Sequence, residues 1–171
     1  MPHAMSRSAP TLIALLAFAS CAPKPPPAAA GPAFDPIAFF DGRTFGSGEL
    51  SIVLRQPEQV TVQGRGRVRS NGELVLDQRV EREGRPPQNR RWVIRRVGLN
   101  TYAGTLTDAT GPVQGRAQGN RLRLTYPMKG GLDVEQWLTL SPDGRSADNL
   151  FVTKKLGVTV ARLRERIEKT E

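Results

Sequence analysis

The chain holds one histidine, His3, and one cysteine, Cys21. From Ala22 onward it has neither, which removes Ser-His-Asp and Cys-His catalysis, histidine acid–base work and zinc sites built on His or Cys. Neither a metal nor a cofactor is expected, and any enzyme reading has to rest on carboxylates, Ser, Tyr or Lys. Lysine is also scarce, confined to Lys24, Lys129, Lys154, Lys155 and Lys169. Beyond Cys21 no stretch approaches the roughly 20 apolar residues a membrane-spanning helix needs.

What is present begins with an export signal. Arg7 supplies a positive start, Thr11 to Phe18 an apolar core too short to span a bilayer, and Ala19-Ser20 small residues before a cut. Phe18-Ala19-Ser20-Cys21 resembles the lipobox of bacterial lipoproteins, with Phe18 in place of the usual leucine. The resemblance implies cleavage before Cys21, lipidation of its sulfur and, with Ala22 rather than Asp following, delivery to the periplasmic side of the outer membrane. The alternative is an ordinary cleaved signal next to a chance cysteine.

Residues 21–33 read as a tether, stiffened by Pro25-Pro26-Pro27 toward the extended polyproline form. The expected organisation is thus a signal peptide over residues 1–20, the tether, and one domain from Phe34 to Glu171. Twenty-five Lys and Arg against 16 Asp and Glu give a formal net charge of +9. Such a surface suits phospholipid head groups, lipopolysaccharide or acidic glycans, or is simply an arginine-biased solvated surface. A nucleic-acid partner is not expected, since no base-reading motif is present.

The domain opens on aromatics: Phe34, Phe39, Phe40 and Phe45 fall within twelve residues. Asp35 to Phe40 reads as one helical turn, capped by Asp35 with Pro36 at the first helical position. It is expected to plug a barrel end or pack across a sheet, the alternative being a membrane-dipping tip. From Gly48 onward apolar and polar residues alternate in short runs, from Leu50–Leu54 to Val158–Val160, divided by turn residues such as Ser70-Asn71-Gly72 and Lys129-Gly130-Gly131. The expectation is an all-β antiparallel meander of about 8–10 strands that escapes exposed edges by closing into a barrel. Val158 to Lys169 fits a helix by Val160, Leu163 and Ile167. It fits a strand better, because the first strand needs a partner.

Phe39-Phe40-Asp41-Gly42, Arg90-Arg91-Trp92, Tyr102-Ala103-Gly104-Thr105, Asp108-Ala109-Thr110-Gly111 and Gly115 to Asn120 stand in a characteristic order. Tyr126, Trp137, Asn149 and Lys155-Leu156-Gly157 follow. On these residues the chain resembles the bacterial lipoproteins grouped as domain of unknown function 3833, over Phe39 to Glu165. The resemblance implies a lipocalin-like barrel with a lipobox. It departs at Gln78, where the family tends to be acidic, and at Leu150 and Leu156, so a shared polar site would be partly lost here.

Arg90, Asp108, Asn149 and Lys155 match polar positions of that family, and Trp92, Tyr102, Tyr126 and Trp137 are the large aromatics on nearby strands. Together they are the candidate ligand-binding set. Arg90 and Lys155 would hold the head group of an anionic amphiphile and Asp108 would orient one of them. Equally, the aromatics fill a packed barrel and Asp108 makes a structural ion pair. Asp133 and Glu135 share a strand face and read as surface ion partners near Lys129 and Arg145 rather than a catalytic pair. Gly64-Arg65-Gly66 lacks the strand-to-helix context of a phosphate loop. The basic run Glu81 to Arg96 reads as a hairpin, either solvated or facing a membrane. The leading expectation is an anchored carrier of a small lipid-like amphiphile without catalytic activity. The alternatives are a filled-barrel interaction module and a carboxylate-dependent enzyme acting on lipids.

Overall fold

The computed structural model describes residues 31–170. The expected signal, Cys21 and most of the tether lie outside them.

Ten antiparallel strands close into a barrel. They are β1 (Gly42–Ile52), β2 (Glu58–Val68), β3 (Leu74–Arg82), β4 (Gln88–Gly98), β5 (Thr101–Leu106), β6 (Val113–Gln118), β7 (Arg121–Met128), β8 (Leu132–Leu140), β9 (Ser146–Lys155) and β10 (Val158–Thr170). Each strand pairs with its sequence neighbour, and β10 returns to β1 in a register running from Arg43↔Thr170 to Ile52↔Ala161. The segment that fitted helix or strand is therefore the closing strand. Closure decides it, because a helix there would leave the β1 and β9 ladders unpaired.

The meander sorts its turns into two ends. One carries the turns 69–73, 99–100, 119–120 and 141–145; the other carries 53–57, 83–87, 107–112, 129–131 and 156–157. The first end is sealed by α1 (Pro36–Phe40). Asp35 caps it, its carboxylate accepting a 3.0 Å bond from the Ile37 N–H. Phe34, Phe39 and Phe40 are buried, with ring centroids 5.3 and 4.9 Å apart in sequence. The aromatic turn thus plugs the barrel rather than forming an exposed tip. Lys169 Nζ donates to the carbonyls of Ala38, Phe39 and Asp41 at 3.1, 2.8 and 2.9 Å, satisfying orphan acceptors at the end of α1. Gly66 is what lets α1 sit so deep: a Cβ there would lie 1.8 Å from the Phe40 carbonyl oxygen.

Inward-facing side chains form two apolar clusters. The larger fills the sealed end, with Phe34, Leu74, Leu122 and Ile167, and reaches the other end along β5 to β8 through Leu106, Val113 and Val134. The smaller, Val60, Val62 and Val80 with Leu50 and Leu163 against them, lies toward the other end. Among the described residues the core is drawn from Phe34 to Ile167, so the barrel holds its own interior. No described helix is long and apolar enough to cross a membrane.

Candidate functional site

Within this apolar interior the inward phase of four strands is broken by a polar residue. Gln78 stands between Leu76 and Val80 on β3, and Gln136 between Val134 and Leu138 on β8. Asn149 stands between Ala147 and Phe151 on β9, and Glu165 between Leu163 and Ile167 on β10. Arg90, two residues before Trp92 on β4, faces the same level. Because alternate residues share a face, these side chains form a polar belt inside the barrel.

The belt is hydrogen-bonded but not saturated. Trp92 Nε1–H donates to Gln78 Oε1 at 2.8 Å, and the Tyr126 hydroxyl to Gln136 Oε1 at 3.4 Å. Asn149 Nδ2 donates to Glu165 Oε2 at 2.8 Å. Asn149 Oδ1 is buried with no partner. Arg90 Nε lies 2.7 Å from Asp108 Oδ2, which compensates its charge, yet its N–H finds no aligned acceptor. The Asn149 Oδ1 acceptor is therefore unspent at the cavity wall, an unfavourable state that a polar ligand atom would relieve.

Burial pushes the Glu165 carboxyl above its ordinary value, outweighing the Asn149 amide and the Arg90 charge that pull it down. Burial likewise pushes the Tyr126 hydroxyl up. Glu165 fits inside because Gly46 faces it: a Cβ at Gly46 would overlap the carboxylate.

A cavity of about 120 Å³ runs through the belt, lined by Leu50, Val60, Val80 and Leu163 toward the unsealed end and by Trp92, Tyr126, Leu138 and Ile167 deeper in. That is below the roughly 300 Å³ at which drug-sized ligand pockets begin. It admits a small head group and the start of one slender chain, not a bulky ligand. A second concavity, about 820 Å³, crosses the outer face of β1 to β4 at the level of Arg43, Arg65, Asp77 and Arg91.

The eight sequence-nominated residues do not converge. Arg90, Trp92, Tyr126 and Asn149 line the cavity, and Asp108, beyond the end of β5, touches it only through Arg90. Tyr102 is buried near the seal, its hydroxyl 3.5 Å from Asp35 and its ring under Arg96 at 5.0 Å. Trp137 lies one residue out of phase, on the outer face with Arg123 and Arg121 at 5.3 and 5.8 Å from its ring centre. Lys155 is exposed at the β9–β10 turn and does not line the cavity. The two cations expected to share a head group thus do not both face it. Glu135 is an ion partner as expected, but of Arg123 and Lys154.

Sequence reasoning named Gln78 only as a departure from the family pattern and did not name Gln136 or Glu165 as site residues. Their signal was there, a polar residue in the apolar phase of a strand. At Glu165 the competing helical spacing of Val160, Leu163 and Ile167 obscured it. No group of three or more metal-ligating side chains occurs among the described residues.

The fold and cavity define a lipocalin-like closed barrel with a narrow, polar-belted interior. Residues 13–169 match the family described as "Protein of unknown function (DUF3833)", and the chain belongs to it. No curated protein matches the chain. Among solved structures it is similar to the S-type phycobiliprotein lyase CPES from Guillardia theta, at 7% identity and a TM-score of 0.63, over 79% of this chain and 90% of that one. It is also similar to a protein of unknown function from the DUF3598 family of Nostoc punctiforme, at 14% identity and a TM-score of 0.58. That match covers 81% of this chain and 50% of the other, so the chain spans half of that neighbour's length. At such identities the likeness is one of fold, and a neighbour that is a lyase neither establishes nor excludes catalysis here.

Proposed function

We propose that this protein is a non-catalytic carrier of a slender amphiphile, anchored by a lipidated Cys21 to the outer membrane and facing the periplasm. The observation that carries the reading is the polar belt set in the apolar interior, with Asn149 Oδ1 unspent. A small polar head seats in the belt and accepts from Arg90 or donates to Asn149. A single alkyl chain lies along Val60, Val80, Leu50 and Leu163 toward the unsealed end. Asp108 compensates Arg90 and burial disfavours a further charge beside Glu165, so the belt favours a neutral or singly charged head over a polyanion.

Native mass spectrometry of detergent-free protein against a panel of envelope lipids and fatty acids tests this. One bound molecule is expected, and Asn149→Leu should weaken it by about tenfold, the worth of one buried hydrogen bond. A cavity that stays empty across the panel removes the reading.

The cavity's small volume favours a second reading, a filled barrel that works as an interaction module through its outer surface. Crosslinking in cells separates the two: a module gives one stable protein partner, a carrier none.

A further inference from the structure

The unsealed end carries two leucines in an unusual state. Leu156 and Gly157 form the two-residue loop between β9 and β10, both with positive φ, 49° and 80°. Such a turn favours Asn or Asp at its first position, because a bulky side chain strains the left-handed region. Leu54 sits at the third position of a turn closed by the Arg55 N–H on the Ile52 carbonyl at 3.0 Å, with φ 62°. That position favours Gly. Leu54 is 100% exposed and Leu156 92%, so neither gains from packing what its backbone loses. Val53 and Val158 beside them are exposed too, at 59% and 67%.

The two tips are neighbours, since β1 and β10 pair up to Ile52↔Ala161 and the Val53 N–H reaches the Val160 carbonyl at 3.0 Å. Arg55, Lys129 and Lys155 at the same end are exposed and make no ion pair among the described residues. Directly beneath lie Leu50 and Leu163 of the cavity's apolar entrance. The chain enters the barrel at the opposite, sealed end, where the Phe34 N–H bonds the Gly119 carbonyl at 2.9 Å. A tether there leaves the tips free.

We propose that the unsealed end is a docking face for an anionic lipid bilayer, with Leu54 and Leu156 as inserted tips and the unpaired bases against the head groups. Four apolar side chains on two narrow tips fall far short of the roughly 800 Å² per partner that a stable protein interface buries. In a bilayer each leucine is buried without any matching surface. Strain concentrated at exposed apolar positions is what a face built for an outside medium would show. The proposal deepens the carrier reading by naming the source of its cargo, a membrane entered through the same end.

The test is co-sedimentation of the chain from Ala22 onward with vesicles of phosphatidylglycerol and phosphatidylethanolamine, and with pure phosphatidylcholine. Binding to the anionic vesicles is expected. Leu54→Asn with Leu156→Asn should weaken it about a hundredfold, one transfer term per leucine. Arg55→Gln with Lys155→Gln should cut the preference for phosphatidylglycerol by about thirtyfold. The leucine variant should unfold at an equal or higher temperature, since Asn tolerates both backbone positions; a loss of stability would mark the leucines as structural and overturn the proposal. So would wild-type protein that ignores both vesicles, including one that captures a single protein instead, or leucine variants that bind as well as wild type. Ligand occupancy is read separately. A loaded barrel that never binds vesicles removes docking and keeps carriage, whereas a docking barrel that stays empty removes carriage alone.

Discussion

Glu165 is held in a place where a carboxylate is expensive. Its hydrogen bond from Asn149 and the nearby Arg90 charge do not offset burial, so its folded pKa stands above 4.5. A group raised in this way contributes stability that is fully present below the unfolded value and is lost as pH rises through the folded one. Glu165→Gln keeps the shape and can still accept from Asn149, but has no charge to desolvate. The variant should therefore match wild type below pH 4.5 and be the more stable protein at pH 7, with a flatter profile between, as read by urea unfolding across pH. Gly46→Ala should act on the same group from the neighbouring strand, because the new Cβ overlaps the carboxylate. It should cost about 1–3 kcal/mol as an overpacked site does, checked by the same denaturation.

Among elements, α1 is the most legible from sequence and the most dependent on its surroundings. Asp35, Pro36 and the phenylalanines announce a capped apolar turn, yet five residues do not hold a helix alone. Its stability comes from the seal. Phe34 is 2% exposed, so Phe34→Ala should cost about 3–5 kcal/mol in thermal unfolding. Asp35→Ala should cost about 0.5–2 kcal/mol for the cap, its exposed 2.8 Å pair with Arg96 adding little. Most strands were legible as alternation and the turns as glycine and asparagine. But β1 runs from Gly42 to Ile52 and stops before Leu54, and β6, with Gly115 and Ala117 in its inward phase, had no apolar run to read. The site was legible only in part. Trp137 was nominated for its size, although Val134, Gln136 and Leu138 hold the inward phase of β8 and leave it outside. The family positions Arg90, Asp108, Asn149 and Lys155 carry chemistry but not direction. Gln78, Gln136 and Glu165 face inward by parity alone.

For the whole molecule, closure is the organising fact. β10 holds both neighbours, β1 from Arg43 to Ile52 and β9 from Ser146 to Lys155. A chain ending at Gly157 should leave two open edges and fail to give a cooperative thermal transition, or aggregate through them. The sequence by itself determined the class: alternation of period two, frequent turn residues and the absence of long apolar runs leave room for little but an antiparallel barrel. It also placed the aromatic plug ahead of the first strand. Only the tertiary structure decided which end is sealed, which aromatics face inward, and that Asn149 meets Glu165 on the adjacent strand while Lys155 stays out of the cavity that Arg90 lines. The reason is physical. Periodicity is a property of each strand alone, whereas register and closure depend on how all ten share one interior.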